Sequence, residues 1–186
     1  MTIEILLFDG FDDLDAFGPF EVLRTAGLDT RFVTAEPADT VTSSGGARVI
    51  PHGVLGDPDL LIVPGGGWND RSGPGAYAEA QRGVIPAKLR EREGRIASVC
   101  TGAMLLAAAG LLTGRRAITH HSAIEDLREA GADVVEGARY VDEGDILTSA
   151  GVSAGIDMAL HLVGDQAATV AREIEWDEAR PAGSLR

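Results

Sequence analysis

Short, nearly continuous apolar runs bounded by turn residues recur along this chain, with helical patterns between them. The clearest runs, residues 3–8, 31–34, 60–63, 95–99 and 146–149, read as strands buried on both faces. Four of these five are followed by a small, polar or glycine-containing turn rather than a hairpin dipeptide, which predicts parallel connections. Helical patterns cover 13–26, 76–92, 102–109, 122–130 and 153–164, with a further turn near 167–174. Pro86 predicts a kink or split in the second of these. Residues 40–54, rich in β-branched side chains around Gly45 and Gly46, predict a small hairpin. The alternation implies an α/β fold: a doubly wound, mostly parallel sheet sandwiched by helices. A single domain is expected over residues 1–180, with residues 181–186 as a tail that frays.

Composition narrows the class. The 186 residues suit one domain with a substantial core. Apolar residues make up 45% of the chain, and no run approaches the roughly 18 apolar residues a membrane span requires. The first strand begins at Ile3, which leaves no room for an export signal, so a cytoplasmic location is expected. The net charge is −13, from 29 Asp and Glu against 16 Lys and Arg, and this disfavours nucleic acid and anionic membranes as partners. Lys88 is the only lysine, as a salt-adapted source or a GC-rich genome would each produce.

One cysteine excludes an intramolecular disulfide and a multi-thiolate zinc site. His52, His120, His121 and His161 lack the helical two-histidine spacing of a metalloprotease, so no metal is expected. Cys100 is then either a buried filler or a reactive thiol. It stands where a strand meets an alanine-rich helix, in Val-Cys-Thr-Gly-Ala, and Thr101, Gly102 and Ala103 offer free backbone N–H groups there. Such an elbow predicts a thiolate, with a pKa lowered into the range of roughly 3.5 to 7.5. The carboxyl end of a central strand is also where open α/β sheets bind ligands.

Two further segments belong with the cysteine. The strand at 60–63 runs into Pro64, Gly65, Gly66, Gly67 and Trp68, whose glycines admit close backbone approach; the amides of Gly66 and Thr101 are expected to form an oxyanion hole, with Gly65 and Trp68 in its wall. Asp15 falls in the first turn of the first helix, between Leu14 and Ala16. Because Asp12 or Asp13 can cap that helix, Asp15 is either a redundant cap or an acid held in an apolar pocket for proton transfer.

Leu-Asp-Ala-Phe-Gly-Pro at 14–19, Val-Pro-Gly-Gly at 63–66, Val-Cys-Thr-Gly-Ala at 99–103, Ala-Ile-Thr-His at 117–120 and Ala-Gly-Val-Ser-Ala-Gly-Ile-Asp at 150–157 together resemble the ThiJ/PfpI superfamily, relatives of the class I glutamine amidotransferase fold. The likeness runs over nearly the whole chain and, within the superfamily, toward isocyanide (isonitrile) hydratases and the sensor domains of arabinose-regulator-type transcription factors. It implies a flavodoxin-like sheet, Cys100 as nucleophile, Asp15 as the acid/base beside it with Glu21 as the outside candidate, and the Gly66 and Thr101 amides around developing charge. It implies a homodimer and no cofactor.

Thr101 stands where protease-like members carry histidine, so peptidase activity is not expected. His120 matches the Thr-His position near the site, while His121 replaces an aromatic residue of close relatives. Gly151 and Val152 are expected to wall the pocket, although strand-to-helix packing explains them equally. The activity implied is hydration of an isocyanide to an N-formamide through a covalent thioimidate. The alternatives are glyoxalase-like or deglycase-like chemistry on the same scaffold, or a ligand or redox sensor.

Overall fold

The structure, a computed structural model, describes residues 1–176. In chain order its elements are β1 (Thr2–Leu7), α1 (Asp13–Thr25), β2 (Asp29–Thr34), β3 (Val41–Thr42), β4 (Arg48–Val49), β5 (Gly53–Val54), β6 (Leu60–Val63), α2 (Ala76–Arg82), α3 (Val84–Glu91), β7 (Arg95–Ser98), α4 (Gly102–Ala108), β8 (Arg116–Ala117), α5 (Ile124–Glu129), β9 (Asp133–Val134), β10 (Tyr140–Asp142), β11 (Ile146–Ser149), α6 (Ala154–Leu162) and α7 (Ala167–Glu173). The end of the expected domain, 177–180, and the tail at 181–186 lie outside the described residues.

Among the described residues, seven strands form one sheet in the order β10-β11-β7-β6-β1-β2-β5. Every neighbouring pair is parallel except β10 with β11, as the continuous apolar runs require. Helices α1, α6 and α7 pack on one another on one side, and α2, α3 and α4 on the other, so the sheet is doubly wound. The four residues of β6 are all buried, as are Ile3, Ile5, Leu6 and Leu7 of β1. No helix among the described residues is long and apolar enough to cross a membrane.

The sequence boundaries differ from the observed ones where local chemistry intervenes. The helix expected over 76–92 is two helices, and the break is at Gly83, which takes φ +79°, rather than at Pro86. Pro86 sits in the first turn of α3, where its missing N–H has no intrahelical partner to lose. The expected hairpin at 40–54 is β3 paired antiparallel with β4. The chain then continues into β5, which joins the main sheet as a parallel edge strand. The short strands β8, β9 and β10 carry too few residues for a periodic signal.

Candidate active site

Cys100 lies at the carboxyl end of β7 with φ +57°, the left-handed region that a side chain rarely adopts. Its N–H is shared between the carbonyls of Ser149 and Ala150, at 3.2 and 3.0 Å, and its carbonyl accepts the Thr119 hydroxyl at 2.9 Å. These bonds hold the strained elbow from the end of β11 and from the loop after β8. Gly102 must follow closely, because a Cβ there would collide with the Val63 carbonyl.

The loop after β6 passes over this elbow. A Cβ on Gly65 would come within 2.5 Å of Thr101 Oγ1, so only glycine lets the two segments cross. The start of α1 is clipped to the same loop: Asp12 N–H donates to the Gly65 carbonyl at 2.8 Å, and Gly65 N–H donates to Asp15 Oδ2 at 2.9 Å. Asp12 is the helix cap, accepting from Leu14 N–H at 3.1 Å, while Asp13 binds the Ser43 hydroxyl and Gly45 N–H. Asp15 is thus released from capping and is buried instead.

Asp15 is 0% exposed. Burial first, and then the charge of Asp12, raise its pKa to about 7, against the lowering effects of the Gly65 N–H and the Cys100 thiol. Oδ1 has no hydrogen-bond partner of standard geometry among the described residues, while the thiol stands close enough to favour the carboxylate as a weak donor. Glu21, the other candidate acid, is exposed and lines a separate cavity between α1 and α7 with Thr25 and Glu173.

Burial works against the resting thiolate that the elbow predicts. Cys100 is 6% exposed, and burial together with the neighbouring Asp15 charge pushes its thiol up to about 12. The backbone N–H groups of Val152 and Thr101 do favour the thiolate, as the elbow argument anticipated, but they are outweighed. An amide dipole beside sulfur does not offset desolvation plus a like charge in a low-dielectric site.

The expected oxyanion hole is altered too. Gly66 N–H donates to Thr101 Oγ1 at 2.9 Å, so it is engaged within the protein, and Gly65 N–H is engaged by Asp15. The second amide serving the sulfur is that of Val152, which has φ +43° at the turn into α6. The sequence placed Val152 only in the wall; no local signal reveals a strained backbone at a β-branched residue. Asp12 was likewise read only as a cap, yet its charge acts on Asp15, Cys100 and His120.

His120 packs its ring against Gly151, where a Cβ would collide with it, and its Nδ1 lies 2.8 Å from the Ser122 hydroxyl. Burial and the adjacent His121 lower its pKa. Trp68 makes its polar contact with Asp126 of α5, and its ring meets Tyr77 edge-on at 5.5 Å. Among the described residues no group of three or more His, Cys, Asp or Glu is placed to hold a metal ion. What the cluster offers chemically is a buried thiol, two amides aimed at its sulfur, and a carboxyl group able to hold or release a proton near neutral pH.

Comparison with known proteins gives the chain's relatives. The model of the DJ-1/PfpI family matches residues 1–165. The chain is 35% identical to isonitrile hydratase of Pseudomonas putida over 99% of its own length and 82% of that protein. It is 28% identical to the deglycase TK1284 of Thermococcus kodakarensis, over 76% of this chain and 86% of that one. A crystal structure of a ThiJ/PfpI family protein from Pseudomonas syringae superposes with a TM-score of 0.84 at 29% identity, covering 100% of this chain and 78% of the other.

Proposed function

This chain belongs to the DJ-1/PfpI family, and we propose that it hydrates an isocyanide, R–N≡C, to the N-formamide R–NH–CHO, with Cys100 as nucleophile and Asp15 as proton carrier. The observation that carries this reading is the carboxyl group of Asp15, wholly buried, titrating near 7 and set beside a thiol. Hydration of an isocyanide requires a proton to be put on carbon and others to be taken from water, and one group poised near neutral pH serves both steps.

In the first step Asp15 takes the thiol proton as the sulfur bonds to the isocyanide carbon. That proton passes to the same carbon, giving the thioimidate R–N=CH–S attached to Cys100. The N–H groups of Thr101 and Val152 stabilise the sulfur while it carries negative charge. Water then adds to the carbon; Asp15 accepts its proton and relays it to nitrogen. The C–S bond of the resulting R–NH–CH(OH)–S adduct breaks, the hydroxyl proton returns to sulfur through Asp15, and the formamide leaves. The nucleophile is therefore generated in the complex rather than waiting as a thiolate. An isocyanide has no carbonyl oxygen, so its attack does not call on the Gly66 amide that Thr101 occupies.

The 28% identity to a deglycase supports a second reading, in which the same thiol attacks a dicarbonyl or its adduct. Incubation of the wild type, Cys100→Ala and Asp15→Asn with n-butyl isocyanide and, separately, methylglyoxal, with products followed by NMR, separates the two. The hydratase reading expects N-butylformamide from the wild type and at least about a 10³-fold loss in both variants. Turnover of methylglyoxal with inertness toward the isocyanide would replace it.

A further inference from the structure

Behind the nucleophile elbow lies an open cavity of about 360 Å³ lined by His120, His121, Ile124, Arg139, Gly151 and Val152, among others. Three of its wall residues bond Cys100. Val152 in its wall directs its N–H to Cys100, the carbonyl of its wall residue Ala150 accepts Cys100 N–H, and its Thr119 donates to the Cys100 carbonyl.

The charge of this lining is unusual for the molecule. The chain carries 29 Asp and Glu, and three other cavities are lined by two or three carboxylates each: Glu21 and Glu173, then Asp57, Glu91 and Glu93 beside Lys88 and Arg92, then Asp9, Glu36 and Glu79 beside Arg82. The cavity beside the elbow has none, and holds two histidines and an arginine instead. Their donors are available. Ser122 N–H donates to His120 Nδ1 at 3.3 Å, which puts the proton of the neutral ring on Nε2. The His121 ring lies 4.0 Å from it, centroid to centroid, with no hydrogen-bond partner among the described residues. Arg139 is fixed by Asp157 through Nε and Nη2, and by the Ser153 hydroxyl at 3.2 Å, which leaves Nη1 unpartnered among the described residues. Trp176 donates to the other oxygen of Asp157 at 3.0 Å, so the residue anchoring Arg139 is itself anchored.

From this we infer that the cavity binds a carboxylate on the substituent of the substrate, making the preferred substrate a small isocyanide that bears a carboxylate, formally derived from an amino acid. The inference rests on the hydration reading for the isocyanide and on the cavity for the carboxylate. A carboxylate only accepts hydrogen bonds, and it matches a wall that donates from two imidazoles and a guanidinium. Asp157 neutralises much of the Arg139 charge, so the recognition is by short-range hydrogen bonds rather than by long-range attraction, in keeping with the acidic net charge.

The test separates the two layers. Binding of N-formylglycine and of its methyl ester is measured by calorimetry with the wild type, His121→Phe and Arg139→Gln, and turnover of isocyanoacetate and its methyl ester is measured with the wild type. The expected result is about tenfold tighter binding of the carboxylate than of the ester, with most of that ratio lost in each variant. Equal binding of acid and ester by the wild type, or an unchanged ratio in both variants, overturns the carboxylate site even if isocyanides are turned over. Selective carboxylate binding without turnover of either isocyanide keeps the site and removes the hydration reading.

Discussion

Asp15 is wholly buried beside the Cys100 thiol, and burial raises the pKa of both groups, to about 7 for the carboxyl group and about 12 for the thiol. That is the inverse of the usual activated cysteine. The base is ready and the nucleophile is masked, so attack waits for a substrate that lets the proton move.

Alkylation should report the masking directly, because Cys100 is the only cysteine. Iodoacetamide at pH 7 should label it at least about 100-fold more slowly than an ordinary exposed thiol, with a rate that climbs about tenfold per pH unit through pH 10. Asp15→Asn removes the neighbouring negative charge and should speed the labelling. Labelling at pH 7 as fast as that of an ordinary exposed thiol would mean a thiolate at rest and would refute the pairing described here.

The pH dependence of isocyanide turnover should follow the protonation of the pair. Asp15 must be ionised to accept the thiol proton, so kcat/KM should rise as pH climbs through about 7 and hold a plateau until the thiol itself begins to ionise near 12. Initial rates at subsaturating substrate between pH 5 and 10 suffice to see it. A profile that falls across pH 7 would require the protonated acid instead.

Asp15 should also cost the fold stability at alkaline pH. Its folded pKa lies above the value near 3.9 of an unfolded aspartate, so the folded state holds the proton longer and stability declines as pH rises from about 4 to about 7. The full penalty is on the order of 4 kcal/mol above pH 8, from about three pKa units at 1.36 kcal/mol each. Asp15→Asn should therefore unfold later than the wild type in urea at pH 8, with an advantage that shrinks toward zero at pH 4. An advantage independent of pH would point to packing alone.

Thr101 is expected to matter through its hydroxyl. Thr101→Val preserves shape but leaves the Gly66 N–H unpaired, at a cost of about 1–3 kcal/mol, whereas Thr101→Ser keeps the acceptor and should stay near the wild type. Thermal unfolding of the two variants side by side distinguishes loss of the bond from loss of the methyl group.

The sequence alone determined the strand runs, the parallel connections they imply, the elbow at Cys100 and the candidacy of Asp15, because each rests on local spacing and residue type. It also showed that Gly65 and Gly66 admit a close approach, without saying to what. The raised pKa values of the pair were decided by tertiary structure: Cys100 and Asp15 are 85 positions apart in chain numbering, and only folding buries them together, where desolvation and the charges of Asp12 and Asp15 outweigh what the elbow amides supply to the sulfur. For the same reason the pairing of Gly66 with Thr101, the role of the Val152 amide and the acid-free cavity beside them could be read only once β6, β7 and β11 lay side by side. Residue types name candidate groups; which atoms face one another, and in how dry a space, is a property of the packed sheet.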